Sequence, residues 1–362
     1  MVLNNLKKYR NKVVIITGHT GFKGSWLTLW LVSLGAKVIG ISNSIVSKPS
    51  NYQVNFLKKK IKDYRLDLKN KKMIEKIILK HKPDFIFHLA AQSLVKKSYN
   101  NPKYTFETNA IGTLNLLDAL RSLNLKKKCN IVLITSDKSY KNLELKRGYK
   151  ENDILGGHDP YSASKGCAEL IAQSYFQSYF KNQKLFTMAV ARAGNVIGGG
   201  DWSENRIVPD CIKSCIQKKI LVLRNPDSTR PWQHVLEAIT GYLILGLKLS
   251  KDKSLNGEAF NFGPNNQRSI SVLDLIKKIK KRWQVLNWKI KSSHNQFESN
   301  LLKLNSNKAY KKIGWKCILN NDETIDFVVS WYKEFYNKKK KNMFNFSLNQ
   351  ISNYSKKLAE RL

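Results

Sequence analysis

The apolar positions of this chain fall into short β-branched runs separated by longer stretches with helical spacing. Val13 to Thr17 is the first run, and Lys37 to Ser42, Tyr64 to Asp67, Asp84 to Ala91, Asn130 to Thr135 and Leu185 to Arg192 repeat it. Such runs predict buried strands. Between them, apolar or amphipathic segments predict helices over Ser25 to Leu34, 69–80, Lys103 to Leu123 and from Tyr161 onward. Strands alternating with helices imply a parallel, doubly wound sheet.

The first strand runs directly into Gly18, His19, Thr20, Gly21, Phe22, Lys23 and Gly24. A strand, a glycine turn and a helix in that order let the backbone approach a pyrophosphate at the helix N-terminus. The expected fold class is therefore α/β: a Rossmann doubly wound parallel sheet with a smaller C-terminal α/β substrate-binding lobe. The expected dinucleotide domain covers 1–193, its sheet completed by a strand near 258–263. A substrate-binding lobe, interleaved with the first domain, covers 194–337, and a basic linker with a C-terminal helix covers 338–362. The second strand ends in Ser42, Asn43 and Ser44, with neither a carboxylate for an adenosine ribose nor an arginine for a 2′-phosphate. These residues leave NAD and NADP undecided. Asp67 could meet the adenine end or cap the following helix. Leu89, Ala90 and Ala91 end the fourth strand with residues small enough for a ligand to approach. Asn109 falls inside the long 103–123 helix.

Tyr161 and Lys165 are four residues apart, hence one turn apart on one helix face. An ammonium beside a phenol favours the phenolate, so the expected effect is a lowered tyrosine pKa and a base usable near neutral pH. Ser136, Asp137 and Lys138 follow the fifth strand, where open parallel sheets bind ligands. After Ala193 a glycine-rich loop from Gly194 to Trp202 leads to Arg206, Arg224 and the cluster Arg230 to His234. Arginine forks suit phosphates, and aromatic and amide groups suit a base. Asn195, Trp202, Arg206, Arg224, Arg230 and His234 thus read as the nucleotide end of a substrate site.

Composition changes this picture little. The 362 residues hold 64 Lys+Arg against 26 Asp+Glu, a formal charge of +38. The lysines form short runs all along the chain (58–60, 126–128, 338–341) rather than one basic stripe. That pattern favours a solvated surface over nucleic-acid binding. Five cysteines without a C-x-x-C indicate neither a disulfide framework nor a zinc site, and no metal is expected. Cys211 and Cys215 read as core thiols. Met1 to Lys12 lacks the apolar segment of an export signal, and Trp26 to Leu34 is too short to span a bilayer. No membrane partner is expected, and the cytoplasm is the expected compartment. In the tail, Leu348, Ile351, Tyr354 and Leu358 stand at helical spacing, with Ser347 and Gln350 in a capping-box pattern.

Several longer runs carry a resemblance: Gly18 to Trp26, His88 to Gln92, Thr105 to Asn109, Thr135 to Lys138, Leu155 to Tyr161, Arg192 to Trp202 and Arg230 to Val235. Through them nearly the whole chain resembles the extended short-chain dehydrogenase/reductase family of NAD-dependent epimerases and dehydratases. Within it, the chain is similar to the branch of nucleotide-sugar 4,6-dehydratases acting on CDP-glucose. The resemblance implies NAD as cofactor, CDP-glucose as substrate, Gln92 among its contacts, and a role in making deoxysugars for surface polysaccharide. It implies that Tyr161 with Lys165 removes the 4-hydroxyl proton while a hydride leaves C4. Ser136 then bonds the 4-oxygen, Asp137 protonates the departing 6-hydroxyl, and the hydride returns to C6. Related dehydratases carry a glutamate base after the aspartate, where this chain has Lys138. A lysine serves as base only when neutral, which needs burial or neighbouring positive charge. His19 and the missing ribose carboxylate suggest a loosely held cofactor. The resemblance also implies a homodimer through helices near 103–123 and 161–181. A nucleotide-sugar 4-epimerase would share the glycine turn, Tyr161 and Lys165 but would not need Asp137. A nucleic-acid binder would need clustered basic and aromatic positions, which the chain lacks.

Overall fold

The computed structural model describes residues 5–145, 147–264, 269–291, 301–337 and 342–361. Its centre is a seven-stranded parallel sheet of β1 (Val13–Thr17), β2 (Lys37–Ser42), β3 (Lys62–Arg65), β4 (Phe85–His88), β5 (Cys129–Ser136), β6 (Phe186–Ala193) and β7 (Ala259–Phe262). The strand order is β7-β6-β5-β4-β1-β2-β3. The chain builds outward from β1 to β3, then returns to the other side of β1 and builds outward again. The crevice of such a sheet opens where the direction reverses, between β1 and β4, which pair Thr17 with His88.

The β1 run is apolar throughout because both faces of the sheet are covered. Val14 and Ile16 join one core cluster and Ile15 the other. One face carries α1 (Phe22–Ser33). The opposite face carries α2 (Lys71–His81), α3 (Pro102–Phe106) and α4 (Gly112–Ser122), then α5 (Pro160–Tyr175). The chain after β6 adds α6 (Ile207–Gln217), α7 (Val235–Leu249), α8 (Val272–Arg282), α9 (Asn321–Asn337) and α10 (Phe344–Arg361). Nearly every residue of α7 is buried, because α7 lies between the sheet and the segment around Trp315 to Leu319.

Local chemistry moves several expected boundaries. β3 ends at Arg65, and Asp67 sits in the next turn, its Oδ1 accepting from the Lys69 amide at 2.9 Å. Asn70, not Asp67, caps α2, accepting from the Met73 amide at 3.1 Å. The expected helix over 103–123 runs without a gap from Pro102 to Ser122, and a π-turn within it at Glu107–Ile111 carries Asn109. Ser347 and Gln350 form no cap, because α10 already starts at Phe344. Ser347 accepts from Trp331 Nε1 at 2.9 Å, and Gln350 donates to the Phe327 carbonyl. Tyr354 lies edge-on to Trp30 of α1, with centroids 5.9 Å apart. The last helix therefore packs on the first. The 338–341 lysine run lies outside the described residues. Among the described residues no helix is long and apolar enough to cross a membrane, all five cysteines are free, and no cluster of metal-ligand type occurs.

Candidate active site

The glycine turn is set by contacts that exclude a side chain. Gly18 has φ +73°, and a Cβ there would lie 2.7 Å from the Ala90 backbone. At Gly24 a Cβ would lie 2.1 Å from the Gly18 carbonyl oxygen. Gly21 heads α1, where no side chain caps the first amides. Those amides are thus left to a ligand anion, the arrangement a dinucleotide pyrophosphate requires. Leu89 and Ala90 lie across the crevice, bonded through their amides to Thr17. Thr20 is buried and closes the end of β2, with Ser42 Oγ at 2.7 Å and the Ser44 carbonyl at 2.6 Å. Asp67 reaches the same place, 3.4 Å from Asn43 Nδ2, so the fold brings a carboxylate to the end of β2 from the neighbouring strand's turn.

His19 is pinned. Its ring lies over Gly40, where a Cβ would come within 2.5 Å, and its Nε2 is 2.9 Å from Asp63 Oδ1. Asp63 also accepts from Tyr52 at 2.7 Å and Arg65 at 2.8 Å. Burial alone would raise this carboxyl, but His19, Tyr52 and Arg65 together hold it well below the usual range.

The catalytic candidates meet at the carboxyl end of β5. Ser136 Oγ donates to Asp137 Oδ1 at 2.7 Å, and the Lys138 amide donates to the same oxygen at 2.9 Å. Asp137 is buried, and burial pushes its carboxyl above the usual range despite those bonds and the charges of Lys138 and Lys23. Asp159 caps α5 by accepting from the Ser162 amide at 2.9 Å, which places Tyr161 and Lys165 on the buried face of that helix. The expectation that Lys165 lowers Tyr161 is not met. Burial pushes the phenol up to about 12, opposed chiefly by its hydrogen bond with Ser136. Lys165 itself gives way, falling to about 7 through burial and then the charge of Lys23, with Glu169 opposing. Desolvation is the largest influence on both buried groups. The side chain of Lys138 is half-buried.

Lys23 links the glycine turn to this floor. Burial and then the Arg206 charge lower its ammonium to about 8, while Asp137 opposes. Gly194 runs over the acid, since a Cβ there would sit 3.4 Å from Asp137 Oδ2. Asn195 follows, half-buried, its carbonyl accepting from the Gln233 amide at 3.0 Å. Arg206 is half-buried and pairs with Asp201 at 3.2 Å. Arg230 is half-buried and donates to the Thr229 carbonyl at 2.8 Å. Arg224 is exposed.

Four expected ligand contacts are turned inward instead. Trp202 packs edge-on against Trp331, Tyr332 and Phe335, and its indole nitrogen reaches Tyr336. His234 is fully buried at the start of α7, near Phe327 and Trp26, and burial drives its imidazole down to about 3. Both belong to the apolar seam that joins α9 to the sheet. The Gln92 amide is spent on Leu94 and Thr105. Asn109 grips the Gln92 backbone at 2.8 and 3.1 Å and Ser164 Oγ at 2.8 Å. It thereby braces the loop after β4 against α5. Sequence reasoning missed Glu169 behind the floor. The available signal was its place one turn beyond Lys165 on the same face of α5.

A parallel sheet with a glycine turn at its switch point and Tyr161–Lys165 beside the fifth strand define an extended short-chain dehydrogenase/reductase. The family model described as GDP-mannose 4,6 dehydratase matches residues 15–327, and the chain belongs to that family. The chain is 38% identical to a CDP-glucose 4,6-dehydratase of Salmonella typhimurium, over 96% of this chain and 97% of that one. It is 30% identical to a CDP-paratose 2-epimerase of Salmonella typhi, over 73% of this chain and 82% of that one. Among solved structures, an epimerase from Methanothermobacter thermautotrophicus superposes with a TM-score of 0.81 at 22% identity, covering 93% and 96% of the two chains. A dTDP-glucose 4,6-dehydratase from Bacillus anthracis, solved in complex with NAD, superposes with a TM-score of 0.75 at 20% identity, covering 89% and 97%.

Proposed function

We propose that this chain converts CDP-glucose to CDP-4-dehydro-6-deoxyglucose and water, with NAD as its cofactor. The observation that carries this reading is Asp137, a buried carboxyl raised above its usual range and bonded to Ser136, which also meets Tyr161. A protonated carboxyl at that point suits loss of a hydroxyl, which a 4-epimerase does not perform. The name of the 38% identical relative supports cytidine as the nucleotide.

The glycine turn, with Gly18, Gly21, Gly24 and the open amides of α1, would hold the cofactor's pyrophosphate. Thr20, Asp67, Leu89, Ala90 and Ala91 would line its adenosine and crevice sides. When bound, NAD supplies a hydride acceptor that later gives the hydride back. Tyr161 takes the 4-hydroxyl proton, and Ser136 bonds the 4-oxygen. Protonated Lys165 favours the phenolate, so the pair works with one proton between its two groups. Asp137 donates a proton to the leaving 6-hydroxyl. Lys138 removes the C5 proton. Asn195, Arg206, Arg224 and Arg230 bind the diphosphate side of the sugar nucleotide by charge-assisted bonds.

Incubation with glucose activated by cytidine, thymidine, uridine and guanosine diphosphates, reading the 4-keto product by absorbance in base, tests the reaction and the nucleotide together. Strong preference for the cytidine form is expected. Epimerised sugar without a 4-keto product would sink the dehydratase reading. Exposed Tyr99, Ile111, Leu170 and Tyr179, on and beside α4 and α5, support a homodimer through these helices. Sedimentation giving only monomer at micromolar concentration would count against it. The free thiols support a reducing, cytoplasmic setting.

A further inference from the structure

Behind the catalytic floor lies a buried ion pair that the reaction as proposed does not use. Glu169 sits one turn beyond Lys165 on the same row of α5. Its Oε1 accepts from Thr135 Oγ1 at 2.6 Å, one residue before Ser136, and its Oε2 accepts from Arg192 Nε of β6 at 2.7 Å. Both charged side chains are 1% exposed or less. Arg192 is fixed in turn by Tyr140 Oη at 2.6 Å and the Glu151 carbonyl at 2.8 Å. Tyr140 donates to Asn261 Oδ1 of β7 at 2.8 Å. A buried pair of this kind rarely stabilises a fold beyond what apolar packing would give, so its position calls for another explanation.

We propose that Glu169 is a positioning residue that sets the charge of Lys165, with Arg192 limiting how strongly it does so. The proposal deepens the dehydratase reading and rests on Tyr161–Lys165 being its proton-transfer pair. The groups facing Lys165 come from five elements. Tyr161 and Glu169 lie on α5 and Lys23 on α1. His88, on β4, lines a small buried cavity with Lys165 and Thr135. Asp137 follows β5, and Arg192 lies on β6. His88 is bonded on both ring nitrogens, to Thr17 and Thr113, and stays uncharged at neutral pH, lowered to about 3 by burial and then by the charge of Lys165. Asp137 is raised. Glu169 is thus the carboxyl group nearest Lys165 along its own helix, and it opposes the burial and the Lys23 charge that drive Lys165 down to about 7.

The test reads the charge directly. NMR titration of Cε-labelled lysine in the full-length protein, with the Lys165 signal assigned by its loss in Lys165→Met, gives its midpoint. Glu169→Gln removes the negative charge and leaves Arg192 uncompensated, so the midpoint should fall by about one pH unit or more. Arg192→Gln should move it upward by a similar amount. This second variant carries the test if Glu169→Gln does not fold. Thr135→Val cuts one hydrogen bond but keeps both charges and should leave the midpoint in place. With CDP-glucose, both limbs of the pH–turnover profile should move to lower pH in Glu169→Gln, because the pair loses each proton more readily. A midpoint unmoved in both charge variants overturns the proposal, whatever happens to turnover. Wild-type protein inert toward CDP-glucose with the shifts intact overturns the dehydratase reading and leaves the role of Glu169 standing.

Discussion

Asp137 and Glu169 are both buried carboxyls beside the same parallel strands, and their surroundings give them opposite characters. Asp137 accepts only from a hydroxyl and an amide, and no cation lies within ion-pair distance of it among the described residues. Burial therefore raises it toward the acid form. Glu169 has the Arg192 guanidinium against it, both side chains buried. One carboxyl is placed to give up a proton, and the other to hold a field. The difference is made by Arg192, on the strand next to β5, rather than by depth of burial.

The largest test of this contrast is kinetic. Tyr161→Phe and Asp137→Asn should each cut turnover by about 10² to 10⁴-fold, the usual range for a general acid or base. Their characters should differ. In a single turnover, absorbance of reduced nicotinamide should accumulate only in Asp137→Asn, where oxidation at C4 proceeds and elimination stalls. Near-normal turnover in Asp137→Asn would end the acid assignment and make the epimerase-like account the better one.

On the proposed reading Arg230 holds the diphosphate and takes no part in the chemistry, so Arg230→Ala should act on binding. We expect the Michaelis constant to rise about tenfold with turnover nearly unchanged. Turnover collapsing at constant affinity would place Arg230 in the chemistry instead.

Asp63 is a third carboxyl turned inward, and like Glu169 it has a guanidinium against it. Its folded value lies below its unfolded one, so its contribution to stability is full above about 3.8 and is lost as pH falls from there through the lower folded value. Asp63→Asn should therefore destabilise the protein at neutral pH and weaken NAD retention several-fold by loosening His19. Calorimetry against pH should show the wild-type advantage shrinking in acid.

The smallest effect has the reverse sign. Asp137 is raised on folding, so the stability tied to its protonation is full below 3.8 and is lost as pH rises through the folded value. Asp137→Asn keeps the bonds from Ser136 and Lys138 and removes that loss. Its melting temperature at neutral pH should rise on the order of 1–3 °C, and the gain should vanish in acid. A lower melting temperature at neutral pH would show that the carboxylate, not the acid, is the favoured form.

What could be read from the sequence was what the backbone dictates. Gly18 and Gly24 announce themselves because no other residue fits against Ala90 and the Gly18 carbonyl. The parallel, doubly wound sheet follows from strand runs buried on two faces and alternating with helices. Trp202 and His234 misled because polar and aromatic residues after a glycine-rich loop look alike whether they line a site or plug a seam, and the plug, α9, arrives about a hundred residues later. The His19–Asp63 pin was hidden for the same reason: its partners meet only when β3 joins β2 at the sheet edge. The direction of the Tyr161 shift was missed because sequence spacing reports who is adjacent and says nothing about water.

The packing of α10 on α1 bears on the order of synthesis. Trp30 leaves the ribosome more than three hundred residues before its cover, Tyr354. The edge strand β7 also arrives after residue 258. A nascent chain thus carries its early strands and α1 with one apolar face open until α10 has been made, a window in which exposed apolar surface invites aggregation. Chains ending before Phe344 should accumulate poorly in the cell even though every catalytic residue is present. Supplying residues 342–362 as a separate peptide during synthesis should restore part of the yield.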